Sequence, residues 1–174
     1  MEYLYHRVPK NMFGTVLYPL NELKNIHPEI YVTQVKKYDG REKLLTTEVP
    51  PLKCLWNDVL HFTAIPPQEL KNNLAKAEIF YDPTSFFKIP ISMIEGKKSI
   101  AFTYRRDQDV VPSFREYEIF DPKRMRVYQT VPQETIDYYK QKKAERVRPL
   151  LYHLVPHILY KGSINTKDLE IITI

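Results

Sequence analysis

The chain has 174 residues, 43% hydrophobic and 27% charged with both signs represented. That composition excludes a disordered chain and allows one domain with a real core rather than two. A single cysteine, Cys54, excludes an intrachain disulfide, and a net charge of +5 favours anionic partners, either nucleic acid or a dinucleotide.

Residues 2–8 alternate, are rich in tyrosine and read as a first strand. Pro9 and Gly14 bracket a loop, and Asn21 stands where it would cap a short helix through Leu23 and Ile26. His27-Pro28 opens a second helix that ends at the turn signal Asp39-Gly40. Residues 41–49 are polar, Pro50-Pro51 breaks the chain, and 55–63 reads as a buried strand. Pro66-Pro67 starts a helix to about Lys76, because a proline in the first turn gives up an N–H that has no helical partner anyway. Short strands are expected at 77–81, 86–93, 99–104, 113–120 and 125–129, with Gly96 marking a hairpin and 105–109 a charged loop. Pro132 and Glu134 open a helix over 132–143 that closes in lysines suited to its negative end. Residues 150–154 extend it, and 158–174 reads as a strand pair around Gly162-Ser163. Helices come early and strands in consecutive runs, which predicts an α+β fold with mainly antiparallel sheets in a single domain, 1–174.

No apolar run approaches the roughly 20 residues of a membrane span. The first residues lack the apolar segment of a signal peptide, so the expected location is cytoplasmic. Four glycines build neither a Walker loop nor a GxGxxG turn. His153 and His157 stand four apart, but Pro156 lies between them, which favours a structural role over metal binding. Cys54, inside an apolar run, reads as a core thiol.

Four segments carry chemistry: Tyr5-His6-Arg7 closing the first strand, Gly40-Arg41-Glu42 in the polar loop, Trp56-Asn57-Asp58-Val59-Leu60-His61-Phe62-Thr63, and Arg115-Glu116-Tyr117-Glu118-Ile119-Phe120 with Val131-Pro132 beyond it. In this order they resemble the DarT-like DNA ADP-ribosyltransferases. In that family a histidine on the first strand contacts NAD, an arginine precedes an aspartate-led aromatic segment, and a later strand carries the catalytic glutamate before a Val-Pro helix. The resemblance implies two sheets split around an NAD cleft, NAD as substrate and no metal. It also implies a nucleic-acid base, in single-stranded DNA for example, or a protein side chain as acceptor. The protein would then be a toxin or defence factor countered by an antitoxin or hydrolase.

On that reading Glu118 faces the ribose carbon as it turns cationic, with Glu116 two residues away as the second carboxylate of a Glu-x-Glu pair. Glu170, in the last strand, is the rival. Arg41 holds the pyrophosphate. His6 and Arg7 contact the dinucleotide, Thr63 supports the nicotinamide ribose, and Tyr5, Phe62 and Tyr117 offer rings for stacking.

Taken singly, each has a plainer reading: Arg41 as a solvated charge, His6 as a structural histidine, Glu118 as a solvent-facing carboxylate. Thirteen tyrosines and eight phenylalanines also fit a binding module that holds nucleic acid or a nucleotide without chemistry, though such an excess more often fills cores and sheets.

Overall fold

The protein is described from a computed structural model over residues 2–94, 99–103 and 116–174. The readings placed on Gly96, on 105–109 and on Arg115 lie outside the described residues.

The alternation at the N-terminus forms strand β1 (Tyr3–Arg7), which turns Leu4 and His6 to one face and Tyr5 and Arg7 to the other. β2 (Val16–Leu17) leads into helices α1 (Leu20–Ile26) and α2 (Pro28–Gln34), and a 3-10 turn over Val35–Tyr38 extends α2. Another 3-10 turn (Glu42–Thr46) precedes the short strands β3 (Glu48–Val49) and β4 (Cys54–Leu55), then β5 (Leu60–Thr63). After α3 (Pro67–Lys76) come β6 (Ser85–Pro90), β7 (Ser99–Thr103), β8 (Tyr117–Ile119), α4 (Met125–Tyr128) and α5 (Gln133–Ala144). β9 (Pro156–Tyr160), β10 (Ile164–Asn165) and β11 (Glu170–Thr173) close the chain.

The architecture is α+β. Seven strands form one antiparallel sheet in the order β11-β6-β1-β5-β9-β7-β8, and β10 with β2 and β3 with β4 form small ribbons. The large sheet is uneven at its middle. β1 pairs with β6 over five rungs and β5 with β9 over four, whereas the register between β1 and β5 is the single rung Tyr5–Thr63. A three-stranded half and a four-stranded half therefore meet at one point.

Each face of the sheet has its own core. Leu4, Phe62, Phe87, Ile89, Ala101 and Ile158 share one face with Met125 and Tyr128 of α4. Ile100, Phe102 and Leu159 share the other with Trp56, Tyr38 and Leu20 of the N-terminal helical layer. A third cluster joins α3 to α5 through Leu70, Leu74, Tyr138 and Tyr139.

Several expectations are corrected. The apolar residues at 77–81 end a helix instead of forming a strand: Ile79 N–H bonds the Leu74 carbonyl and Glu78 takes a left-handed φ of 53°, closing α3. Residues 125–128 are helical because the buried pair Met125 and Tyr128 is spaced by three, leaving Val127 51% exposed. The expected strand over 55–63 is interrupted by a 3-10 turn at Trp56–Asp58. The last three strands do not pair with one another: β9 joins β5 and β7, β10 joins β2, and β11 joins β6. Asn21 does not cap α1; Pro19 holds that position and the Asn21 amide reaches Asp58 instead. Residues 150–154 form a turn rather than more helix.

Ile158 is fully buried in the strand that bridges β5 and β7. Ile158→Ala is expected to cost about 3 kcal/mol, read from the urea unfolding midpoint. A loss under about 1 kcal/mol would mean that β9 is not central to the core.

Candidate functional site

Beyond their one shared rung, β1 and β5 part towards His6 and His61, and a cavity of about 220 Å³ opens there. His6, Leu60 and His61 line it from the sheet, α1 and α2 cover it, and Trp56 and Asn57 form a wall. A second lobe of about 240 Å³ adjoins it: Lys37, Tyr38 and Trp56 line both, and Arg41, His153 and His157 complete the second. A surface groove runs from His6 and Lys37 to Arg7 and Lys10. Among the described residues lining these three spaces there is no Asp or Glu.

The wall is held by Asp58. One carboxylate oxygen accepts the Leu55 N–H at 2.7 Å and the other accepts the Asn21 amide at 2.7 Å. These bonds fix the 3-10 turn that carries Trp56 and Asn57 and tie it to α1. Trp56 is packed in turn by His61 at 4.6 Å between ring centroids and by Phe102, edge-on, at 5.2 Å. Asn57 is 2% exposed and its enclosed Nδ2 has no hydrogen-bond partner among the described residues. A buried donor left unmade costs about 1–3 kcal/mol.

The histidines are neutral. His6 donates from Nδ1 to the Arg7 carbonyl at 2.6 Å and His61 from Nε2 to the Trp56 carbonyl at 3.1 Å, so each keeps its other nitrogen as an acceptor. Loss of hydration pushes His6 down to about 4 and His61 down to about 3, with His157 adding to the second shift. Lys37 is open to solvent at the rim yet crowded by protein. That crowding, and then Arg41, lowers its pKa. Around the mouth, Phe13 is 70% exposed and meets His27 edge-on at 5.4 Å, with Tyr18 tilted against the same histidine.

Of the residues expected from sequence, His6, Arg7 and Arg41 lie on this system of spaces. The Arg41 guanidinium donates to the Lys37 carbonyl at 2.6 Å, which holds it beside the lysine. Thr63 is buried and its hydroxyl accepts the Ile65 N–H, Phe62 is core at 1% exposure, and Tyr5 is buried on the opposite face of β1 from His6. None of these three lines the cavity.

The two glutamates are brought together, but elsewhere. Glu116 and Glu118 line a separate groove with Tyr117, Arg124 and Pro132. Glu118 is paired with Arg124 at 3.2 Å and its side chain is 42% exposed. β8 lies at the sheet edge, four strand spacings from β1, or about 19 Å. Glu170 is on the opposite edge, ion-paired with Lys88 at 2.8 Å. Neither carboxylate reaches the cavity at His6.

Lys37 and Tyr38 read from sequence as the end of an amphipathic helix, and Asn57, inside the Trp56-to-Thr63 segment, carries no role of its own there. No known family model matches this chain, and no curated protein or solved structure matches it. Among the described residues, no helix is long and apolar enough to cross a membrane and no group of three or more His, Cys, Asp or Glu is placed to hold a metal ion.

The histidines make stability depend on pH. His6, His61 and His157 have folded pKa values below the ordinary 6.5, so the unfolded chain binds more protons as pH falls. Their contribution is complete above about 6.5 and is lost as pH drops from there towards 4. The urea midpoint is expected to fall between pH 7 and pH 5, and to fall less in His61→Gln. An identical slope in the variant would show that His61 is not held neutral by the fold.

Proposed function

We propose that this chain binds an anionic nucleotide in the cleft where β1 and β5 part, with NAD as the ligand to which the sequence resemblance points. The observation that carries this reading is the character of the cleft: lysine and arginine at its rims, aromatic rings in its walls, and no carboxylate among its described lining residues. A phosphate finds cations there with no competing carboxylate among the described lining residues. A base or ribose finds Tyr18, Tyr38 and Trp56 for contact, and the acceptor nitrogens of two neutral histidines for its hydroxyls. The two adjoining lobes, sharing Lys37, suit two ring systems with phosphates between them.

A second reading adds chemistry: transfer of ADP-ribose from NAD to a nucleic-acid base, as in DarT-like enzymes, with an ADP-ribosyltransferase-like fold. It is favoured by the near-division of the sheet at Tyr5–Thr63, since a cleft between two half-sheets is what the resemblance implies. It is weakened by the placement of Glu118, which stands in another groove. The binding reading is therefore preferred.

The chain's one tryptophan is in the cleft wall, so its emission reports occupancy directly. Titration with NAD or ADP-ribose is expected to quench Trp56, and Lys37→Ala to weaken binding about tenfold. An unchanged spectrum at millimolar NAD would reject the proposal. Nicotinamide release that disappears in Glu118→Gln would restore the transferase reading with Glu118 as its carboxylate; release that persists would take Glu118 out of the chemistry.

A further inference from the structure

We propose that Phe13 reads the ligand's ring, laying its open face against a planar heterocycle at the mouth of the first cavity. This rests on the nucleotide reading above and names the residue that separates a ring-bearing ligand from a bare sugar phosphate.

The loop between β1 and β2 is tied at both ends. The Val8 N–H bonds the Ser85 carbonyl at 2.9 Å, and the Thr15 carbonyl accepts the Thr166 N–H at 2.6 Å and its hydroxyl at 2.9 Å. Between these ties Met12 packs against the core that holds Leu4 and Phe62. Gly14 takes a φ of 71°, a left-handed conformation that glycine adopts at no steric cost, and the chain returns to β2. Phe13 stands between the packed Met12 and this turn. Among the described residues it joins none of the core clusters, and it is 70% exposed, yet it lines the cavity.

A single exposed apolar side chain is ordinary on a protein surface. Phe13 belongs to a group. Tyr18 and His27 line the same mouth, and the His27 ring lies 5.4 Å from that of Phe13 and 6.3 Å from that of Tyr18. The Glu29 carboxylate in turn lies 3.6 Å from His27 Nδ1. Phe13 and His27 meet edge-on, at 65°, so the contact occupies at most one face of the phenyl ring and leaves the other open. The fold gains little from a ring held in water. A ligand that covers the ring gains the free energy of removing apolar surface from water. A flat heterocycle can do this, whereas a sugar phosphate offers hydrated hydroxyls instead. Adenine and nicotinamide share the required chemistry, and Lys37, which lines the same cavity, is placed for the phosphate of either nucleotide.

The test uses the full chain, with dissociation constants measured by calorimetry for three probes: AMP, nicotinamide mononucleotide and ribose 5-phosphate, which has no ring base. Phe13→Ala and Phe13→Leu are expected to weaken at least one of the two nucleotides about tenfold and to leave ribose 5-phosphate unaffected. Phe13→Tyr, which keeps the ring, is expected to restore the affinity. The nucleotide that responds identifies the heterocycle. The melting temperature of Phe13→Ala is expected to stay within about 2 °C of wild type, because the side chain is exposed.

Unchanged nucleotide affinity in Phe13→Ala, or affinity kept in Phe13→Leu, would overturn the proposal and leave the nucleotide reading standing. An equal loss for ribose 5-phosphate would overturn it too, since the ring would not be what is read. So would a fall in Tm of more than about 4 °C, by showing that Phe13 supports the fold. If the wild-type protein binds neither nucleotide at millimolar concentration, the nucleotide reading falls and this inference falls with it.

Discussion

The backbone pairing of Tyr5 with Thr63 is the point on which the arrangement depends. An ordinary antiparallel neighbour pair exchanges bonds along its length and leaves no room between strands about 4.8 Å apart. Here β1 and β5 are each paired fully on their outer sides, to β6 and to β9, and touch at one rung between them. The freed ends carry His6 and His61. The helical layer of α1 and α2 closes over them. The cleft thus sits where pairing inside the sheet is incomplete, between two half-sheets that are each paired over several rungs.

The electrostatics of this gap follow from what is left out of it. Cations at Lys37, Arg41, Arg7 and Lys10 have no carboxylate partner among the described residues lining the spaces, whereas several acids elsewhere are ion-paired: Glu118 with Arg124, Glu170 with Lys88, Glu78 with Lys143. Matched pairs at the surface contribute little to stability. The cations along the cleft mark where an anion is best accommodated. The histidines, kept neutral by their surroundings, bring acceptor nitrogens without further charge.

Much of the fold was legible in the sequence where local chemistry decides it. Pro66-Pro67 and Pro132 mark the starts of α3 and α5 almost to the residue, and alternation marks β1. The strand expected over 86–93 is found as β6 but ends at Pro90, where a 3-10 turn over Ile91–Met93 takes over. Errors arose where a short apolar pattern admits two periods, as at Met125–Tyr128, or where burial at a helix end resembles a strand, as at 77–81. The C-terminal strands were detectable as strands, but their partners lie up to about 150 residues away, and no local signal selects among distant edges. The site shows the same limit. His6, Arg41 and the Trp56-to-Thr63 segment were singled out, and His6, Arg41 and the segment's residues Trp56, Asn57, Val59, Leu60 and His61 do line the spaces at the gap, whereas Phe62 and Thr63 do not. Glu118 was chosen from its Glu-x-Glu neighbour, its apolar flanks and the Val-Pro helix that follows, and none of these carries information about strand order. Asn57 lay inside a segment that was singled out but had no role of its own there, because its burial is a property of three-dimensional surroundings.

The sheet order also governs how the chain folds. β6 lies between β1 and β11, so two strands far apart in the chain share one neighbour, and the backbone groups of Thr84 and Ile174 bond each other at the edge. The half-sheet that carries His6 is incomplete without β11. The other half likewise needs β9, which must slot between β5 and β7. Folding is therefore dominated by long-range pairing, which is slow and leaves strand edges open until the distant partners arrive.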